Sequence, residues 1–139
     1  MQASDKTVQR RSWLTPGVLG IGLASLLADA GHEIPTALLP SFLTSTLGAP
    51  AVALGLIEGL ADGAAGCARL LGGALADNPA LRRRTATGGY IGTAVLGALI
   101  GLTGVVWQAG ALRIAAWAAR GLRVPSRNAL LADITEPAT

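Results

Sequence analysis

Three arginines recur at helical spacing in an apolar, alanine-rich stretch near the C-terminal end of the sequence. Arg113, Arg120 and Arg127 follow one another at steps of seven residues. At 100° per residue, seven residues return to within about 20° of the same face of a helix, so the three guanidiniums form one stripe. A stripe of cations inside an apolar helix predicts anionic partners on neighbouring helices.

Two pairs of carboxylates meet that expectation. Asp29 with Glu33, and Glu58 with Asp62, each have the four-residue step that puts both members on one helix face. His32 lies beside the first pair, and Arg69 shares the face of the second. The arginines and carboxylates are expected at matching depths on different helices.

Such charges predict a pathway if the helices lie in a lipid bilayer. Each charge at the centre of a membrane helix costs about 2.5–3.5 kcal/mol on the insertion scale, so it must face a partner or a watery cavity. Burial raises the pKa of a carboxyl group and a nearby arginine lowers it, so a movable contact between them can control protonation. One or two of the carboxylates, with or without His32, could therefore load and release a proton. The alternative is a fixed network of ion pairs that only stabilises the bundle.

The composition favours a membrane protein. Charged residues make up 14% of the chain, against about 25% for an average soluble protein. Glycine accounts for 19 of 139 residues, and small residues let membrane helices approach closely. Gly55, Gly59 and Gly63 form one such ridge.

The chain is predicted to be all-α, a polytopic membrane protein with four transmembrane helices and short connections. A polar tail, residues 1–12, precedes a transmembrane region at 13–133, which begins at the interfacial Trp13, and residues 134–139 start a cytoplasmic connection. The predicted spans are residues 14–47, 51–76, 85–106 and 109–131. Asp29 to Pro35 should interrupt the first span, because proline removes a backbone donor and kinks a helix.

Basic residues fall in alternate connections. The tail, the loop at 77–84 and the end of the fourth span carry Lys or Arg, whereas the turns at 48–50 and 107–109 carry none. Since basic loops stay inside, both termini are expected in the cytoplasm and the protein in the inner membrane.

Two other readings of the same sequence remain open. The basic start, the apolar run to Leu27 and the sequence Ala28-Asp29-Ala30 also fit a signal peptide. The interrupted apolar stretches also fit a soluble, alanine-rich helical bundle. Three further apolar spans argue against the signal peptide, because they explain the same basic start. The long uncharged run at 85–112 argues against the soluble bundle, because it is hard to expose to water.

No enzyme signature is present. The sequence has one histidine, one cysteine and no phosphate-binding glycine motif, so no catalytic activity, cofactor or metal is expected. The high pI does not indicate nucleic acid as a partner, because several arginines belong to the predicted spans.

Two segments of the sequence resemble the major facilitator superfamily (MFS) of transporters. Gly73-Ala-Leu-Ala-Asp77, followed by Arg82-Arg83-Arg84, is similar to the family's signature between helices 2 and 3. The stretch from Arg120 to Asp133 is similar to the end of helix 4 in a subgroup of uncharacterised members. The segments around Asp29–Leu43 and Leu56–Asp62 also fit helices 1 and 2 of that subgroup.

The resemblance implies that the chain corresponds to the first third of a twelve-helix fold, with helices 1 and 4 lining the pathway and helix 2 meeting a missing second half. The expected substrate and proton pathway comprises Asp29, His32, Glu33, Glu58, Asp62, Arg113 and Arg120. The expected cytoplasmic gate comprises Gly73, Asp77, Arg82, Arg83, Arg84, Arg123 and Arg127.

The sequence thus predicts a fragment of a secondary active transporter, coupled to protons, whose partners are a small-molecule substrate, protons, the lipid bilayer and the missing half of the protein. The alternative is a complete four-helix membrane protein acting as a dimer, either a small multidrug exporter or a non-transporting membrane assembly factor. In that case the Gly55/Gly59/Gly63 ridge could form the dimer face.

Overall fold

A computed structural model describes residues 14–135, and it confirms an all-α protein with four helices. The tail at 1–12, Trp13 and most of the predicted connection at 134–139 lie outside the described residues. The helices are α1 (Pro16–Ser41), α2 (Ala51–Ala76), α3 (Pro79–Ile100) and α4 (Val106–Thr135). The predicted bounds of the second span agree with α2.

The first predicted span is one continuous helix, so the expected interruption at Asp29–Pro35 is wrong. Pro35 and Pro40 both lie inside α1, and the chain continues as a short π-helix, Phe42–Thr46. The hydroxyl of Thr44 donates to the Pro40 carbonyl at 2.8 Å. Gly48, with φ +67°, ends the segment, and the Ala49 amide donates back to the Leu43 carbonyl at 2.8 Å.

The predicted bounds of the third and fourth spans are also wrong. Asn78 caps α3 by accepting a hydrogen bond from the Ala80 amide at 3.0 Å, and Pro79 occupies the first turn, so the helix begins before the three arginines rather than after them. The expected basic loop is therefore the first turns of a helix. The next turn lies at residues 101–105 rather than 107–109, where Gly101 and Gly104 weaken the helix, and α4 already starts at Val106.

Helix α4 is the centre of the bundle. Helices α2 and α3 pack along much of its length, whereas α1 touches α3 and α4 at fewer positions. Early residues of α2 contact early residues of α4, and the start of α3 contacts the end of α4. Along α1, Ser25, Asp29 and Thr36 contact successively earlier arginines of α4, which are Arg127, Arg123 and Arg113. Helix α2 therefore runs parallel to α4, and α1 and α3 run antiparallel to it.

Glycines make the close approaches to α4 possible. A Cβ atom on Gly121 would overlap the Ala65 carbonyl oxygen of α2, and one on Gly72 would come within 2.5 Å of the Leu122 carbonyl oxygen. A Cβ on Gly89 of α3 would overlap the Cβ of Arg123. Each substitution would force two backbones apart, so these three glycines set the distances between α4 and its neighbours.

An apolar cluster closes the end of the bundle where α1 joins α2 and α3 joins α4. Its buried members are Leu39, Leu43, Ala49, Ile57, Ile100 and Ala109. The charged residues lie beyond this cluster, along the middle of α4.

Only part of the membrane prediction has support from helix composition. Within residues 14–135, α2 is the one helix that is both long enough and apolar enough to cross a membrane by those criteria alone. Four transmembrane helices are therefore not established by length and hydropathy.

Candidate functional site

Arg113 of α4 is held between α1 and α2. Its Nε and Nη2 atoms donate to Glu58 Oε1 and Oε2, each at 3.0 Å, in a two-bond ion pair. Its Nη1 atom donates to the Thr36 hydroxyl at 3.1 Å, and that hydroxyl donates in turn to the His32 carbonyl at 2.8 Å. The side chain is buried, with 2% of its surface exposed. Every nitrogen of this guanidinium therefore has an acceptor, which is what a buried charge requires.

Trp117 lies one turn further along α4 and connects several of the predicted site residues. Its ring packs against the buried imidazole of His32 with the centroids 4.0 Å apart, and the Arg113 guanidinium lies 3.4 Å from the ring centroid. The indole Nε1 donates to Asp62 Oδ1 at 2.9 Å. Cations over an aromatic face are attracted by the ring electrons, so Trp117 stabilises the charged guanidiniums next to it.

Two further arginines of α4 share a single carboxylate on α1. Arg123 Nη2 lies 3.2 Å from Asp29 Oδ1, and Arg120 Nη2 lies 3.7 Å from the same oxygen. We call Asp29, Arg120 and Arg123 the Asp29 triad. Arg123 is 1% exposed and its guanidinium stacks 4.3 Å from the centroid of the Tyr90 ring, whereas the Asp29 side chain is 44% exposed. The triad carries two positive charges and one negative charge.

A cavity of about 230 Å³ lies between α1, α3 and α4, next to this triad. Its polar lining comes from a few side chains, among them His32, Thr93 and Arg123, and the remainder is mostly alanine, glycine and aliphatic carbon. Pockets that are largely apolar and carry a few convergent polar groups are the usual form of small-molecule sites. The cavity is therefore the candidate binding site.

The remaining members of the predicted pathway lie outside this ion-pair network. Glu33 and Asp62 are exposed, and neither forms an ion pair with any residue at 14–135. Arg69, which the helical spacing places on the face of Glu58 and Asp62, is likewise exposed without an ion pair in the described chain. Of the two carboxylate pairs, one member each contacts an arginine, Asp29 and Glu58.

The predicted gate residues do not form a single cluster. Arg82 Nη1 lies 2.6 Å from both carboxylate oxygens of Asp133, and Arg82 Nε donates to the Ala76 carbonyl at 2.6 Å. This pair joins the end of α2, the start of α3 and the end of α4. Asp77 is exposed and makes no ion pair among the described residues.

Other gate candidates lie apart from that pair. Arg83 and Arg84 are exposed, and a Cβ on Gly73 would meet nothing within 4 Å. Arg127 lies 3.5 Å from the Ser25 hydroxyl and contacts the amide of Asn128, while Arg123 belongs to the Asp29 triad in the middle of the bundle.

Sequence reasoning missed the neutral partners of the arginines. Trp117, Tyr90, Thr36 and Ser25 all contact an arginine of α4 or a residue that does. For Trp117 a signal existed, because it lies four residues after Arg113 and three before Arg120, on the same face of the helix. Tyr90 and Ser25 carry no such signal, since their contacts depend on how α1 and α3 pack on α4.

Nothing in the described residues suggests a metal centre. Among residues 14–135, no three His, Cys, Asp or Glu side chains come close enough together to hold an ion. The single cysteine, Cys67, is exposed on α2.

Comparisons with known proteins give relatives without an assigned function. The chain is 34% identical over 110 residues to uncharacterised proteins of Mycobacterium bovis and Mycobacterium tuberculosis. The matched region covers 79% of this chain and 27% of each relative, so the chain spans about a quarter of the length of the proteins it matches. No model of a known protein family matches the chain, and no solved structure matches it.

Proposed function

We propose that the four helices form a membrane-embedded unit of a secondary transporter, which moves a small molecule across the inner membrane. One observation carries the proposal: two arginines are buried inside the bundle, while large apolar side chains are exposed on all four helices. Arg113 and Arg123 are buried, whereas Leu70, Val52 and Leu27 are 79%, 73% and 71% exposed.

The exposed apolar side chains support a lipid environment because they are numerous and lie on all four helices. Single exposed leucines are normal on soluble proteins, but large contiguous apolar surfaces mark contacts with lipid or another protein. Charged side chains within a membrane helix face the interior, pair with one another and mark transport pathways. Charged residues, prolines and glycines lower the mean hydropathy of α1, α3 and α4. On this proposal, mean hydropathy alone therefore fails to identify these helices as membrane spans.

Proton coupling is proposed to act through Asp29. Protonation would remove the one negative charge that Arg120 and Arg123 share, and both guanidiniums would then be free to move or to accept another anion. The partial exposure of Asp29 gives a proton access to it. A movable ion pair of this kind couples the charge state of a carboxylate to the position of α1.

We further propose that the unit corresponds to the first third of a twelve-helix transporter of the major facilitator type, with both termini in the cytoplasm. The basic first turns of α3 support this orientation, because clustered arginines next to a membrane helix stay inside. Its partners would be a small-molecule substrate, protons, the bilayer and a second half of the transporter. The length of the mycobacterial relatives leaves room for such a half.

Membrane fractionation tests the lipid environment directly. The chain should remain in the membrane pellet after washing with alkaline carbonate, and it should require detergent for extraction. Recovery of a monodisperse chain in detergent-free buffer would contradict the proposal and favour a soluble bundle.

Proton-coupled transport is tested in proteoliposomes that contain this chain together with any further helices its gene encodes. Asp29→Asn should abolish substrate movement driven by a pH gradient. Glu33→Gln is the matched control, since Glu33 lies one turn away on the same helix and pairs with no arginine in the described chain. Unchanged transport by Asp29→Asn would remove this carboxylate from the mechanism.

A second candidate function is favoured by the open face of α2. Gly55, Gly59 and Gly63 are exposed, and a Cβ on any of them would meet nothing within 4 Å. Because such ridges let membrane helices pack closely, the chain could instead act as a complete four-helix protein that dimerises there. In a Cys67→Ser background, Gly63→Cys should form a disulfide-linked dimer in membranes if this alternative holds, and only monomer if the ridge faces lipid or another half.

A further inference from the structure

The guanidinium of Arg123 is incompletely satisfied. Its Nη2 atom donates to Asp29, but its Nε and Nη1 atoms are buried and have no acceptor among residues 14–135. Arg113 is buried to the same degree and has an acceptor for every nitrogen. Buried N–H groups on a charged side chain are rarely left unpaired, because the loss of water is not compensated.

The charge around Arg123 also needs an anion. Glu58 balances Arg113, whereas Asp29 is the one carboxylate among residues 14–135 that pairs with Arg120 and Arg123. The face of Tyr90 stabilises the Arg123 cation but leaves the N–H groups at the edge of the guanidinium without acceptors. The triad has one positive charge in excess, on the side chain whose donors are unused.

Arg123 lines the cavity between α1, α3 and α4. Its Nε and Nη1 atoms are buried behind this lining, so a ligand must displace the Asp29 carboxylate from Nη2 to reach the guanidinium. A water molecule occupies about 30 Å³ of liquid volume, so a cavity of about 230 Å³ has room for a molecule of several heavy atoms. The apolar part of the lining includes Leu27, Pro35 and Ile100. A strongly hydrated inorganic ion would gain little there, whereas a hydrocarbon body would fill the apolar part.

We propose that this cavity binds a small organic monocarboxylate, whose carboxylate accepts hydrogen bonds from Arg123 and whose apolar body packs against α1 and α3. The inference rests on the proposed function, because it names the class of substrate that the transporter carries. It specifies a single negative charge because the triad has one cation in excess. Binding would compete with Asp29 for the same guanidinium.

The first experiment measures binding to the full chain in detergent micelles by isothermal titration calorimetry. The probes are benzoate, its neutral isostere benzamide, and benzylamine, which has the opposite charge. Benzoate should bind saturably with one site, and benzamide should bind at least about tenfold more weakly, since it lacks a charge-assisted hydrogen bond to Arg123. Benzylamine should not bind.

Three variants locate the site. Arg123→Gln should weaken benzoate binding by about tenfold or more, because it removes the positive charge that attracts the carboxylate. Ala94→Leu should weaken it as well, by filling the cavity without changing any charge. Arg84→Gln, which removes an exposed arginine of α3 outside the cavity, is the matched control and should leave binding unchanged. Circular dichroism of each variant distinguishes a loss of binding from a loss of folding. If Arg123→Gln does not fold, the affinity of Ala94→Leu for benzoate tests the location of the site.

Equal affinities for benzoate and benzamide, an absence of saturable benzoate binding, or unchanged binding in a folded Arg123→Gln variant would each overturn the inference. The cavity would then hold only water. Failure of the proposed function gives a different pattern: benzoate binds to the chain, but the chain is extracted without detergent or carries no solute. Transport of cations only, by a membrane-embedded protein, would overturn the inference and leave the transporter proposal intact.

Discussion

The four interior arginines of α4 differ in how completely their charges are compensated. Arg113 has a carboxylate, a hydroxyl and an aromatic face. Arg120 and Arg123 divide one carboxylate between them, and Arg127 contacts only a hydroxyl and an amide. Compensation therefore declines from the apolar end of the bundle towards the other end.

We predict that Glu58→Gln destabilises the fold. Removing one partner of a buried ion pair costs about 3–5 kcal/mol, and the partial exposure of Glu58 reduces this to about 1–3 kcal/mol. Thermal unfolding in detergent measures the change. Glu33→Gln is the control and should lie within about 0.5 kcal/mol of the parent, because an exposed side chain without an ion pair contributes little. Equal effects of the two substitutions would show that the Arg113 pair is not a stabilising contact.

We predict that the loss caused by Asp29→Asn is partly reversed by a second substitution. Asp29→Asn leaves the buried Arg123 charge without a counter-ion, at a cost of about 1–3 kcal/mol once the partial exposure of Asp29 is allowed for. Adding Arg123→Gln should recover more stability than adding Arg120→Gln, because Arg123 is closer to Asp29 and is the more deeply buried of the two. The two double variants, compared by thermal unfolding, provide the test, and a larger rescue by Arg120→Gln would contradict the assignment.

At the scale of the helices, glycines decide which faces are closed. Gly121, Gly72 and Gly89 lie where α4 crosses its neighbours, whereas Gly63 lies on the open face of α2. Gly121→Ala should therefore cost about 1–3 kcal/mol, as overpacked substitutions do, because the new methyl group meets backbone and cannot be accommodated by a side-chain rotation. Gly63→Ala is the matched control. It should leave the unfolding temperature of the monomer unchanged or slightly higher. An equal loss of stability in both variants would show that α2 and α4 do not pack closely at Gly121.

The sequence predicts the existence of the helices better than their ends. The apolar run at 51–76 and the Asn78-Pro79 break locate α2 and the turn after it, because proline and an N-cap residue act locally. The expected break in α1 is absent, because the helix continues through Pro35 and Pro40 although each proline removes one backbone donor. The sequence alone does not reveal which prolines a packed helix tolerates. The predicted start of α3 is wrong because three consecutive arginines are typical of a cytoplasmic loop, although arginine is also a good helix former.

The site was predictable in its charges and not in its neutral partners. Helical spacing places Arg113 and Arg120 on one face and points to carboxylates on other helices. Which carboxylate meets which arginine depends on the crossing points of the helices, so the sequence could not exclude Glu33 and Asp62. The burial of Arg123 depends on the missing side chain of Gly89, a feature that only the packed structure reveals.

At the scale of the whole molecule, the proposed orientation makes a prediction for the connections between helices. In a Cys67→Ser background, Thr46→Cys and Gly104→Cys should react with a membrane-impermeant maleimide applied to the outer face of intact spheroplasts. Asn78→Cys should react only after the membrane is opened, because it lies in the turn beside the basic end of α3. Labelling of all three positions in intact spheroplasts would rule out the four-span topology.

The weak packing of α1 has a consequence for how the protein would move. At Gly121, Gly72 and Gly89 the backbones of neighbouring helices are in close contact. Moving these helices apart would lose that packing without providing new contacts. The contacts of α1 with α4 are instead mainly polar, through Ser25, Asp29 and Thr36, and solvent or a solute can replace each of them. We therefore expect α1 to move as a rigid body relative to α2, α3 and α4, which stay packed together. The strength of the contact between α1 and α4 would depend on which anion is bound to Arg123.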